Sequence, residues 1–276
     1  MIQTTALNLV LCCNPFKKDQ YSLYAKADKK TFASGSFRKC YKGNILSSIT
    51  NKHTCTNDFP AGECVIKCYS DKNNVEDFKK DIACLLYARS LSSSFNKKIG
   101  EPNKINYVKP YISTAYIDGI QDNYILIEPY IKGTFRKFYN NDGSFVEQED
   151  SKKFNKTIPA FSHYTWLISG KNRVITDLQG VYKNEKYYLT DPAIQSFNHD
   201  FGNSDLGACG ILKFILEHKC SSLCRDWPMI KLPKLKKFLT DNDANTIKLS
   251  SFYNYIDDEK YKRIYQLILK EPNLFD

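Results

Sequence analysis

The chain has 276 residues, 42% of them hydrophobic, with ten cysteines and a formal charge of +10. That length suits one large domain or two small ones and allows a sizeable core. The charge favours an acidic partner such as a phosphorylated ligand, nucleic acid or an anionic surface, but the basic residues are spread along the chain, which argues against a nucleic-acid arm.

Residues 1–30 read as strand, turn and strand, with Asn14-Pro15 as the turn signal. The apolar run 6–13 is short and no basic residue precedes it, so it reads as a strand and not a signal peptide. No run reaches the roughly 18–20 apolar residues of a membrane span. The cysteines are therefore expected to be mostly free thiols in a reducing compartment, the cytosol. In 32–43, Gly35 between small residues is either a turn whose backbone N–H groups approach a phosphate or a plain hairpin turn. Residues 44–62 read as a loop. Glu63 to Tyr69 alternates as a strand carrying Lys67. Buried on a central strand, that ammonium needs an anion; on an edge strand it points to solvent.

Apolar spacing at Phe78, Ile82, Leu85, Leu86 and Leu91 predicts a helix over 75–96, with Asp81 placed to face the Lys67 strand. Strands follow near 111–117 and 124–130. Pro129 forces Glu128 to be extended, which marks a crossing between lobes. Residues 133–143 read as a polar loop with aromatic anchors. A helix over 156–170 carries His163, strands 173–178 and 186–190 end at Asp177 and Asp191, and a helix from Gly207 to Glu217 delivers His218. The tail holds a helix over 259–270 and shows no chemistry.

Two donor sets are interleaved in 161–224. Asp177, Gln179 and Asp191 offer oxygen, suited to Mg²⁺. His163, His218, Cys220 and Cys224 offer nitrogen and sulfur in the number that a closed structural zinc site needs. Asp200-Phe201-Gly202 spells the metal-binding tripeptide of ordinary protein kinases. It is a decoy, because Asp177 has Thr176 before it and Tyr182 where the catalytic-loop Asn should stand, and no Ala-Pro-Glu follows.

The ordered set over roughly residues 30–230 resembles the alpha-type protein kinases. It runs from the Gly35-to-Arg38 turn through Val65-Ile66-Lys67, Asp81 to Phe95-Asn96, Ile127-Glu128-Pro129, Phe135 to Phe138 and Asn140-Asn141. It continues with Phe161-Ser162-His163, Asp177 to Val181, Thr190-Asp191-Pro192, Gly202, Leu206-Gly207, Gly210 and His218-Lys219-Cys220 with Cys224. The resemblance implies an α+β, two-lobed, protein-kinase-like fold. Its N-lobe (1–128) is a curved β-sheet plus a helix, its C-lobe (129–230) is mixed α/β with a structural zinc site, and 231–276 is an extension. It implies a serine/threonine kinase that uses ATP and Mg²⁺, with ATP between the lobes and Zn²⁺ as a staple.

By the same resemblance Lys67 holds the α- and β-phosphates and Glu128 lies near the adenine. Lys137 and Asn141 line the nucleotide side. Asp177 orients or deprotonates the substrate hydroxyl, and Gln179 and Asp191 position Mg²⁺ and the phosphates. Gly35 and Arg38 cover the phosphates, and Asp81 matches an acidic position. Asp205 stands where relatives usually carry Asn, in a loop tied to substrate engagement. The expected partner is a protein with a Thr or Ser acceptor, with no specific nucleic acid. A nucleotide-binding pseudokinase scaffold and a zinc-stapled basic nucleic-acid module are the alternatives.

Overall fold

The structure is a computed structural model that describes residues 6–12, 22–34, 38–46, 62–69, 75–100, 102–117, 120–146, 156–241 and 258–275. It divides into two compact units, 1–82 with 108–132, and 83–107 with 133–276.

In the first unit six strands close into a barrel. They are β1 (Ala6–Cys12), β2 (Ser22–Ser34), β3 (Arg38–Leu46), β4 (Gly62–Tyr69), β6 (Tyr111–Ile117) and β7 (Ile120–Pro129), in the order β1-β2-β3-β4-β7-β6, with β1 also pairing β6. The period-two alternation of a strand explains the core. Cys64, Ile66 and Cys68 of β4 and Ile125 and Ile127 of β7 pack together with Ala27 and Ile45. The intervening Leu126 faces the other way and packs on Phe78 and Ile82, in the first turns of α1 (Val75–Ile99). Lys67 pairs with Leu126 across the ladder, so it shares that outer face under α1. β4 lies between β3 and β7, so it is not an edge strand, and Lys67 is 3% exposed.

In the second unit β5 (Lys104–Tyr107), β11 (Lys186–Thr190), β10 (Leu178–Lys183) and β8 (Phe135–Tyr139) form one sheet in that order, with β5 parallel to β11. A second, two-stranded sheet joins β9 (Arg173–Thr176) to β12 (Ala193–Ser196). Helix α2 (Thr157–Ile168) is buried continuously from Thr157 to Trp166, as its all-round apolar sequence requires. Helix α3 (Gly207–Glu217) packs on β12 and on α5 (Asp258–Leu269), with α4 (Leu232–Asp241) between them in sequence. Asn96, late in α1, clamps β5: its amide donates to the Ile105 carbonyl at 2.7 Å and its oxygen accepts the Ile105 N–H at 2.9 Å. Phe95 beside it packs edge-on against Phe161 of α2.

Three readings of the chain are corrected. Residues 135–139, expected as loop, form β8, because β10 supplies the ladder partner that a single segment cannot show. The short strands β5 and β12 were not expected at all. The strand expected to run through 178 breaks at Asp177: β9 ends at Thr176 and β10 starts at Leu178. Asp177 has φ +52° and Asp191 φ +47°. These left-handed residues stand at the same level of one antiparallel ribbon, where both strands leave the four-stranded sheet for the two-stranded one. Asp tolerates that conformation better than most side chains. The tail is part of the unit's core: Tyr265 of α5 is fully buried, receives the Trp166 indole N–H at 2.9 Å and donates to the Lys171 carbonyl.

Candidate active site

The paired kinks gather one group of expected residues in the second unit. The Lys137 ammonium lies 2.7 Å from Asp177 Oδ1. Gln179 stands directly across the ladder from Lys137. Its amide donates to Asp177 Oδ2 at 3.5 Å and to the Asp191 carbonyl at 3.3 Å. Asn141, in the turn after β8, accepts a hydrogen bond from the Thr176 hydroxyl at 3.2 Å. The Asp177 N–H donates to the Asn140 carbonyl at 3.2 Å, which fixes the kink against the same turn. Asp177, Gln179 and Asp191 are all half-buried. They are open enough to meet a ligand and enclosed enough for charge to act strongly. The Asp177 charge also reaches Tyr107 of β5. Burial first, and the Asp177 charge second, push its phenol well above its ordinary value, so it stays protonated.

The first unit holds two further pairs. Lys67 Nζ lies 2.7 Å from Glu128 Oε2, each side chain 3% exposed. Lys67 pairs with Leu126 and Val65 with Glu128, so the two charges are diagonal neighbours on one face. Thus a carboxylate meets the buried ammonium. Arg38 Nη1 lies 3.5 Å from Asp81 Oδ2, so Asp81 of α1 faces β3. Gly35 lies outside the described residues.

His163, His218, Cys220 and Cys224 converge, their ligand atoms all within 4.8 Å of one another. Cys220 Sγ is 3.7 Å from His163 Nδ1 and 3.5 Å from His218 Nε2, and Cys224 Sγ is 3.9 Å from His218 Nε2. Zinc bonds of about 2.3 Å to sulfur and about 2.05 Å to nitrogen at tetrahedral angles put S and N about 3.6 Å apart, close to the three sulfur–nitrogen separations here. The outward ring nitrogens are also engaged. His163 Nε2 lies 3.0 Å from the Pro228 carbonyl, and His218 Nδ1 lies 3.5 Å from the Tyr139 hydroxyl. An N–H on each outer nitrogen leaves the inner nitrogen's lone pair facing the cluster. Burial pushes His218 down, toward the neutral form a ligand needs. The hydrogen bond from Cys220, ahead of the imidazoles, holds the Cys224 thiol well below its ordinary value.

Asp200 of the decoy tripeptide lies on the surface, 3.4 Å from Arg173, and touches none of this group. One residue that holds the site was missed: Gln195, whose amide nitrogen is 2.6 Å from Asn141 Oδ1. Its sequence signal is indirect, a glycine at 210 inside a helix. A Cβ there would come within 2.4 Å of the Gln195 oxygen.

Residues 33–224 match the family model described as the Alpha-kinase family. Myosin heavy chain kinase B of Dictyostelium discoideum is 29% identical over 202 residues, covering 72% of this chain and 25% of that protein. Eukaryotic elongation factor 2 kinase of Caenorhabditis elegans is 28% identical over 195 residues, covering 70% of this chain and 23% of that protein. The chain thus spans about a quarter of the length of these relatives. Among solved structures, the alpha-kinase domain of myosin-II heavy chain kinase A in complex with AMP-PNP superposes with a TM-score of 0.63 at 25% identity, covering 81% of this chain and 95% of that one. The family model covers well over half of the residues, and the chain belongs to the Alpha-kinase family.

Proposed function

We propose that this chain is an ATP-dependent protein serine/threonine kinase. One observation carries the reading: Lys137, Asn141, Asp177, Gln179 and Asp191 gather at the double kink of one ribbon. Asp177 accepts the proton of a Ser or Thr hydroxyl as its oxygen bonds to the γ-phosphorus and the bond to the ADP oxygen breaks. Such a transfer needs charge neutralisation and alignment more than covalent help. Lys137 pairs with the carboxylate, and a bound phosphate competes for the same ammonium, so nucleotide binding readies Asp177 for the hydroxyl. Gln179 and Asp191 would hold Mg²⁺, which neutralises phosphate charge when bound.

Lys67 holds the α- and β-phosphates, oriented by Glu128, itself near the adenine. Asn141 lines the nucleotide side, and Gly35, Arg38 and Asp81 belong to the phosphate-covering group. His163, His218, Cys220 and Cys224 would hold a structural zinc, a donor set of four that suits a closed site rather than a catalytic one. That site fastens α2 to the turn after α3. A protein with a Thr or Ser acceptor is the partner. Among the described residues no helix is long and apolar enough to cross a membrane. Family membership favours neither the scaffold nor the nucleic-acid reading.

The test is phosphate transfer from labelled ATP with Mg²⁺ to a basic Thr-containing protein, with Asp177→Ala alongside. Transfer that vanishes in the variant supports the reading. Nucleotide binding without transfer overturns it in favour of a scaffold.

A further inference from the structure

Gln195 of β12 is fully buried and sits at the crossing of three segments. Its amide nitrogen donates to Asn141 Oδ1 at 2.6 Å, Thr176 Oγ1 at 3.1 Å, the Asn141 carbonyl at 3.2 Å and the Ser204 carbonyl at 3.3 Å. The two N–H groups are therefore shared among several acceptors. The Gln195 oxygen accepts the Leu206 N–H at 2.6 Å. Asn141 closes the ring by donating its own amide to the Ser204 carbonyl at 3.2 Å. One buried side chain thus touches Asn141, the residue next to Asp177, and the loop that leads into α3.

The rest of the fold makes room for it. A Cβ at Gly210 would stand 2.4 Å from the Gln195 oxygen and 2.8 Å from its Cδ. Glycine inside a helix costs about 1 kcal/mol relative to alanine; here it lets α3 approach a side chain that no smaller space would admit. Thr165 shows the same pattern on the other side of β9: its hydroxyl accepts the Ile175 N–H at 2.9 Å, so the strand that ends at Thr176 is held by buried hydrogen bonds from both neighbours.

We infer that Gln195 is a positioning residue for nucleotide binding, acting through Asn141. The inference rests on the kinase reading for the role of Asn141. An unheld asparagine amide rotates freely. Gln195, at the shorter distance, and the Thr176 hydroxyl fix which way it points, because both donate to the oxygen of that amide while the Ser204 carbonyl takes the nitrogen side.

The experiment is a double-mutant cycle with Gln195→Met and Asn141→Ala, reading kcat, KM for ATP, KM for the protein acceptor and the melting temperature. Gln195→Met is expected to raise KM for ATP about tenfold, and Asn141→Ala by a similar factor, with the double variant no worse than either single. The acceptor KM is expected to stay near its wild-type value. Additive losses in the double variant, or a folded Gln195→Met protein with an unchanged KM for ATP, would overturn the inference. If the unmodified chain transfers no phosphate, the kinase reading fails by itself, and the same cycle is then read on Mg-ADP dissociation constants by calorimetry. Should Gln195→Met not fold, Gln195→Leu removes the donor with a different apolar shape, and the same comparison applies. Nuclear magnetic resonance of the unmodified protein decides the matter if neither variant folds: the Gln195 side-chain amide protons must exchange slowly, and rapid exchange counts against the proposal.

Discussion

Lys67 and Glu128 form a salt bridge of 2.7 Å with both side chains 3% exposed. Removing one member of such a pair strands a charge without water. Lys67→Ala is expected to lose transfer activity and to destabilise the first unit by about 3–5 kcal/mol. Replacing both partners, as Lys67→Met with Glu128→Leu, should restore most of that stability and none of the activity. Chemical denaturation of the three proteins checks this; a double variant no more stable than Lys67→Ala would refute it.

Cys220 approaches both imidazoles of its cluster, at 3.7 and 3.5 Å. Zinc in an equimolar amount is expected by elemental analysis. Cys220→Ala should abolish cooperative unfolding of the second unit, because metal binding free energy is folding free energy at such sites. Strong chelation should do the same to the unmodified chain. A Cys220→Ala protein that melts cooperatively but turns over slowly would contradict a structural role.

Gly180 follows Gln179 with φ +151°, and a Cβ there would meet the Tyr188 carbonyl oxygen at 2.0 Å. Backbone cannot swing aside as a side chain does. Gly180→Ala should therefore force β10 away from β11 and shift Gln179. Conformational strain alone costs about 1–3 kcal/mol, and the displaced ladder adds to it. Loss of both stability and transfer is expected, against a control such as Gly170→Ala, where the nearest atom is a side-chain nitrogen at 3.8 Å. Equal melting temperatures for the two variants would show that the sheet absorbs the clash.

The imidazole of His199 bridges the Asp205 carbonyl and Asp258 of α5, each at 2.9 Å. Partial burial pulls its pKa down, but hydrogen bonds to Asp258 and the Asp205 carbonyl outweigh this, so it is raised above 6.5. Its contribution is complete below 6.5, the unfolded value, and is lost as pH rises through the raised folded value. Burial raises Asp258, but Lys262 and then His199 outweigh it, so its value falls below 3.8. That contribution is present above 3.8 and is lost as pH falls through the depressed folded value. The attachment of α5 should be firmest from about pH 4 to about pH 6.5. Hydrogen exchange across 258–269, corrected for intrinsic rates, should show weakening as pH rises above about 6.5 in the unmodified chain and no such trend in His199→Gln. Identical pH profiles would dismiss the bridge.

Part of the candidate site was legible from residue types, since Asp177, Gln179 and Asp191 offer one oxygen set, whereas Lys137 and Asn141 entered only with the family resemblance. His163 with His218, Cys220 and Cys224 can be read as one donor set from spacing and chemistry, and the structure places their ligand atoms together. Gln195 was not legible. A glutamine followed by a serine carries no sign of burial, and only the approach of α3 at Gly210 reveals its neighbour. The strand at 135–139 was missed for a related reason: Phe135-Arg136-Lys137-Phe138-Tyr139 does not alternate, and its register comes from pairing with β10.

The sequence by itself determined the order of the parts: local periodicity placed most helices and strands, and residue types marked out the oxygen donor set and the His/Cys donor set. The long-range partners were decided only in three dimensions. Whether Lys67 met solvent or an anion depended on β4 lying between β3 and β7. That Asp177 and Asp191 share one kink depended on the register between β10 and β11 and between β9 and β12. Register is a property of two segments at once, fixed by which faces are buried, and no single stretch of chain contains it.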